Sequence, residues 1–216
     1  PGIDMPLVVA WLALGALFFT VRMKLVNFRM FGHAIALVRG KYDSPDAVGE
    51  VTHFQALTTA LSATVGLGNI AGVATAIHYG GPGAVFWLWV TGFVGMAAKY
   101  TECTLAVKHR VIHKDGSASG GPMYYIEKAL GPKWKPLAVF FAGCAVISSF
   151  GSGNSIQAFT MADSFRMDFG IPNWISGLVS ATLVGAVILG GIKRIGKVTS
   201  RLVPLMGGLY ITAALV

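Results

Sequence analysis

Apolar residues in this chain come in long blocks, and short stretches rich in lysine and arginine separate them. A helix that crosses a bilayer needs about 20 predominantly apolar residues, with a range of about 17–25. Six blocks meet or approach that length: 5–21, 54–79, 83–107, 136–161, 174–192 and 202–216. The last has 15 residues, about 22 Å of helix against a core of ~30 Å. It stops inside an apolar run, so the expectation is a fragment whose remainder lies outside these residues.

Composition agrees with the blocks. Of 216 residues, 54% are hydrophobic and 12% charged, against about 25% charged in ordinary soluble domains, and the mean hydropathy is +0.65. The pattern predicts an all-α integral membrane protein. A net charge of +8 raises the question of a nucleic-acid partner. The cations fall between apolar runs rather than along one face with interleaved aromatics, which reads as topology and not as a nucleic-acid surface.

With alternating spans and an outside N-terminus, one side holds Arg22, Lys24, Arg29, Arg39 and Lys41. It also holds Lys108, Arg110, Lys114, Lys128, Lys133 and Lys135, and then Lys193, Arg194, Lys197 and Arg201. Those are 15 of the 17 basic residues; Arg166 falls opposite and Lys99 within a span. The positive-inside rule makes the rich side cytoplasmic, predicting a multi-pass protein of the cytoplasmic (inner) membrane. Cys103 and Cys144 lie in apolar stretches and are expected to be buried thiols, with no disulfide or metal framework.

Two connections have structure of their own. Around 44–57, Ser44 is a plausible N-cap, Pro45 suits the first helical position, and Asp46 and Glu50 suit the positive helix end. The segment 120–131 reads as a short amphipathic helix. Either Tyr124 and Tyr125 sit at headgroup level, or the helix packs on the bundle.

The 54–79 block carries Gly66-Leu67-Gly68-Asn69 near its middle. Glycine costs a helix roughly 1 kcal/mol relative to alanine, and a freed backbone group in hydrocarbon has no water to bond. Residues 54–65 give about 18 Å of helix and residues 70–79 about 15 Å, so the element falls near the bilayer midplane. A helix broken there offers carbonyls at the end of its first half and amides at the start of its second. Carbonyls suit a cation, and amides suit a carboxylate. Gly66 and Gly68 allow close backbone approach, Asn69 offers both an oxygen and an amide, and Ser62 and Thr64 add oxygens. The other reading is close helix packing, since Gly68 and Gly72 form a GxxxG pair. The residues alone leave both open. A nucleotide-binding loop does not fit, because no strand precedes the glycines.

The stretches "TVGLGNIAGVATAI" and "GGPGAVFWLWVTGFVGMAAKYTE", then "GSASGGPMYYIEKALG" and "GSGNSIQAF", closely resemble the alanine/glycine:cation symporter family. "VGLGN" is also similar to the broken first core helix of the leucine-transporter type. The resemblance implies an inverted-repeat (five-plus-five) transporter fold preceded by one extra N-terminal helix. In that reading 1–216 is a single transmembrane domain, with 5–21 the extra helix, 54–216 the first five-helix repeat and the second repeat absent. It implies sodium-coupled symport of small neutral amino acids, alanine or glycine, by alternating access, with the sodium ion as coupling ion. Amides at Gly66, Leu67 and Gly68, the Asn69 side chain and Gln157 are implied to meet the substrate. Carbonyls at Ser62 and Val65 are implied to hold sodium, and Thr64 and Asn69 match a second sodium site. The bland alternative for Gln157 is an interhelical hydrogen bond.

Other polar residues fall inside spans. Lys99 and Glu102 are spaced for an ion pair. His78 sits at an outer edge, either as a proton relay or as an interfacial hydrogen-bonding group. Ser148, Ser149, Ser152, Asn154 and Ser155 make the 136–161 block polar on one side, fit for a wet cavity or for small-residue packing. Proton coupling through His78 and Glu102, a channel, and a structural subunit are the competing functions. An enzyme fits poorly, with no nucleophile–base pair or HExxH-type site. The sequence sets no oligomeric state.

Overall fold

The computed structural model describes residues 7–43, 49–151 and 153–215. Ser44, Pro45, Asp46 and Ser152, which carried sequence expectations, lie outside the described residues.

The described chain is almost wholly helical. Helix α1 (Leu7–Arg22) covers the described part of the first apolar block, and two short helices follow, α2 (Val26–Arg29) and α3 (Phe31–Val38). The second block forms α4 (His53–Thr64) and α5 (Leu67–Gly80), and the third forms α6 (Gly83–Lys108). A two-stranded antiparallel hairpin comes next, β1 (Val111–Ile112) with β2 (Ala118–Ser119), which pairs Val111 with Ser119. At its tip Asp115 accepts hydrogen bonds from the amide and hydroxyl of Ser117 (3.0 and 2.7 Å), and these hold its carboxyl below the usual aspartate range. Helix α7 (Pro122–Leu130) starts with Pro122 in its first turn, where a missing N–H costs nothing. Beyond it lie α8 (Lys135–Gly151), α9 (Ser155–Phe169), α10 (Asn173–Ile188) and α11 (Gly191–Leu215).

Among the described residues, the stretch 132–169 and α11 are long and apolar enough to cross a membrane. The α4–α5 pair makes a third if counted as one bent span, while α1 and α10 are shorter apolar helices.

Three boundaries differ from the sequence expectation. The 136–161 block is two helices, interrupted between Gly151 and Ser155 and continuing to Phe169. Helix α11 begins at Gly191, so Lys193, Arg194, Lys197 and Arg201 are helical rather than looped. Hydropathy excludes such residues from a span, yet lysine and arginine are good helix formers. Helix α4 starts only at His53, with Thr52 as the N-cap that closes a capping box with Gln55, so Glu50 lies before the helix rather than in its first turn.

The chain divides into two compact units, Pro1–Leu37 with Ile70–Ala138, and Val38–Asn69 with Val139–Val216. In the first unit α1 lies on α6, where the Thr20 hydroxyl donates to Val94 O at 3.0 Å. The Asn27 side-chain amide donates to Phe93 O at 2.6 Å, and the Phe28 and Phe93 rings meet at 4.8 Å. Helix α7 packs on α6. A Cβ on Gly120, just before α7, would sit 3.1 Å from Ala106 O. Burial and the nearby Glu102 carboxylate raise the Tyr125 hydroxyl above its usual range. Helix α7 thus packs on α6, as one of its two readings has it.

In the second unit α4 lies on α11. The Thr59 and Thr199 hydroxyls bond at 3.0 Å, and a Cβ on Gly196 would meet Val51 Cγ1 at 3.1 Å. Helix α10 contacts both α9 and α11.

The buried positions are mostly small: Ala97, Ala138, Ala162, Thr20, Thr58 and Ser176, with Val26 the largest apolar one. Large hydrophobics such as Trp11, Trp89 and Phe150 face outward. That inversion suits lipid, where apolar side chains gain nothing by hiding and helices meet through small residues. It also corrects the cysteine expectation. Cys103 and Cys144 are free thiols as read, but exposed rather than buried, because an apolar neighbourhood in such a chain marks an outer helix face as readily as a core.

Candidate functional site: a broken helix and its glutamine

Helix α4 runs regularly to Thr64, and Val65, its C-cap, is extended (φ −78°, ψ 113°). Helix α5 starts at Leu67, and the two axes are bent by 49° across this break. The Val65 amide still donates to Leu61 O at 2.8 Å, and the Asn69 amide donates back to Gly66 O at 3.0 Å. The interruption is thus confined to Val65 and Gly66. The last carbonyls of α4, Ser62 among them, have no partner further along their own helix.

The hydroxyls beside the break are oriented. Ser62 Oγ donates to Thr59 O, and Thr64 Oγ1 donates to Ala60 O, both at 2.8 Å. With each proton directed at the preceding turn, the oxygen lone pairs are left for an external donor or a cation.

The residue that meets the break is Gln157. A Cβ built on Gly66 would lie 3.1 Å from Gln157 Nε2 and 3.2 Å from its Oε1. Any larger residue at 66 would have to displace the Gln157 amide by a few tenths of an ångström. Gln157 sits in the first turn of α9, just after the second helix interruption, and its Nε2 lies 3.4 Å from Gly153 O. The Ser155 hydroxyl donates to Phe150 O at 3.0 Å across the interruption. The sequence reading treated 136–161 as continuous and missed this feature. Its signal was present, because "GSGN" at 151–154 repeats the Gly-x-Gly-Asn of 66–69.

Of the residues singled out in sequence, Gly66 and Gln157 are brought together. Leu67, Gly68 and Asn69 form the first turn of α5, while Ser62, Thr64 and Val65 form the end of α4. Cβ atoms built on Gly68 and Gly72 would meet no atom within 4 Å among the described residues. The GxxxG pair thus supports no helix contact within them. Lys99 Nζ donates to Glu102 Oε2 at 3.0 Å, the ion pair its spacing predicts. The His78 ring stands edge-on to Tyr79 at 5.1 Å.

Apolar helices with small residues inside and large ones outside define an integral membrane protein. Residues 3–216 match the sodium:alanine symporter family, and the chain belongs to that family, which comprises symporters rather than enzymes. It is 47% identical over 202 residues to the sodium/alanine symporter AgcS of Methanococcus maripaludis, covering 93% of this chain and 45% of that protein. An uncharacterized transporter of Haemophilus influenzae is 45% identical over 201 residues, covering 93% of this chain and 43% of its own. YrbD of Bacillus subtilis is 41% identical over 192 residues, covering 89% and 39%; its assigned name describes a sodium/proton-dependent alanine carrier. The chain thus spans less than half the length of the curated relatives it matches.

Proposed function

We propose that this chain supplies the broken-helix half of a sodium-coupled symporter for small neutral amino acids, alanine and glycine, working by alternating access in the cytoplasmic membrane. Residues 5–21 are the extra helix and 54–216 the first five-helix repeat; the repeat that completes the site lies outside these residues. The N-terminus is outside, which leaves the basic segments cytoplasmic.

The single observation that carries the reading is the juxtaposition of Gly66 and Gln157 at a helix break. Amides of Gly66, Leu67 and Gly68 at the positive end of α5, with the Asn69 side chain, receive the substrate carboxylate. Gln157 reaches the same ligand from α9. Carbonyls of Ser62 and Val65 receive sodium, and Thr64 with Asn69 forms a second sodium site. These are hard oxygen donors, suited to a small alkali cation. The names of AgcS and YrbD support alanine as substrate, and that of YrbD keeps protons beside sodium as coupling ion.

The test is uptake of labelled alanine and glycine by proteoliposomes carrying the full-length protein, under inward sodium, inward proton and null gradients. Accumulation driven by sodium alone is expected. Accumulation driven by protons alone would overturn sodium coupling and move attention to His78 and Glu102. No accumulation under either gradient, from protein shown to be folded, would sink the symport reading altogether.

A further inference from the structure

The first turns of α11 carry Arg194, Lys197 and Arg201, spaced three and then four residues apart on one helix face. They line a shallow groove of about 330 Å³ together with Val198 and Leu202. This face is opposite the one that α11 turns to α4, where Gly196 and Thr199 make the contact. Among the described residues, no carboxylate lies within 4.0 Å of any of the three cations. Arg194 lies at the end of the first turn of α11, where a cation adds to the positive end of the helix dipole.

One turn further along, the same face changes character. Leu205 and Leu209 follow at helical spacing and are 58% and 64% exposed. The stripe therefore reads lengthwise: a cationic end about two turns long, then an apolar end continuing into the span.

We infer that this face of α11 is a binding site for one anionic phospholipid of the cytoplasmic leaflet. Its phosphate is held by Arg194, Lys197 and Arg201, and an acyl chain lies along Leu205 and Leu209. Guanidinium groups bind phosphate oxygens in bidentate fashion, and basic pockets on the cytoplasmic side of membrane helices suit acidic headgroups. The apolar continuation distinguishes a lipid from free phosphate, which has nothing to place there. The inference rests on the orientation proposed above, which puts these cations in the cytoplasm.

The test is native mass spectrometry of the full-length protein with phosphatidylglycerol and with phosphatidylcholine. Wild type is expected to retain phosphatidylglycerol selectively. The R194Q/K197Q/R201Q variant is expected to bind it roughly 100-fold more weakly, at about fivefold per neutralised cation. The charge-conserving R194K/R201K variant, expected to keep most of the binding, separates loss of charge from loss of fold. Equal retention of the two lipids, wild-type retention by the neutralised variant, or displacement by millimolar inorganic phosphate would each overturn the proposal. The readout needs no transport, so a protein that retains the lipid but takes up no alanine would sink the symporter reading alone. Orientation is checked by Lys197→Cys, expected to react with an impermeant maleimide only from the cytoplasmic side; reaction only from outside would overturn the leaflet assignment.

Discussion

At position 66 a single added methyl carbon would stand 3.1 Å from the Gln157 amide nitrogen, inside the ordinary contact distance of about 3.5–4.0 Å. Gly66→Ala is expected to push the Gln157 side chain aside and raise the KM for alanine about 10-fold, the scale of mild overpacking. Gln157→Ala alone should do similar damage. The double variant should be little worse than either single one, because both remove the same arrangement. Additive losses, measured as KM in proteoliposomes of the full-length protein, would show the two residues act separately. Gly68 has no such neighbour. Gly68→Ala is expected to leave stability unchanged or raise it by up to about 1 kcal/mol of helix propensity, read as an unchanged or higher melting temperature, while impairing uptake. A loss of stability with transport intact would return that glycine to a packing role. Asn69→Ala is expected to abolish sodium-driven uptake with expression unaffected, and normal uptake would argue against the break as the site.

Among the elements, the contact between α4 and α11 depends on a small residue, Gly196. Gly196→Leu drives a side chain into Val51 and Gln55 and is expected to cost about 1–3 kcal/mol by overpacking. Gly207→Leu on the same helix, where a Cβ meets nothing within 4 Å among the described residues, should melt close to wild type. A thermal-shift comparison of the two decides this. The break in 54–79 was legible beforehand because two glycines and an asparagine there violate helix propensity in a medium that forgives little. The break at 151–155 carries the same residues and went unread, since its serines have a second explanation in small-residue packing. The start of α11 was illegible to hydropathy for a different reason. Charge counts against a span, but the helix hydrogen-bond ladder is indifferent to it, so the helix runs through Lys193 to Arg201 without pause.

For the molecule as a whole, charge asymmetry predicts the topology and apolar block length predicts the helices. What the sequence could not supply was which surface of each helix is interior. In water, apolarity answers that question; in lipid it does not, and Cys103 and Cys144 were misplaced on that account. Which ion drives uptake belongs to this scale too. Glu102 is paired with Lys99, so Glu102→Gln is expected to leave sodium-driven uptake within about threefold of wild type. A complete loss, accompanied by loss of any pH dependence of uptake, would make that carboxylate a proton carrier.

The Thr59–Thr199 bridge and the seating of Gly196 against Val51 have a mechanical consequence. They join α4 and α11 side by side, so the two helices are expected to tilt together. The pair is a lever whose one arm ends at Val65 and whose other carries Arg194 and Arg201. Spin labels placed on α4 and α11 are expected to hold one separation with and without sodium and alanine, and a single angle would then describe what both ends do.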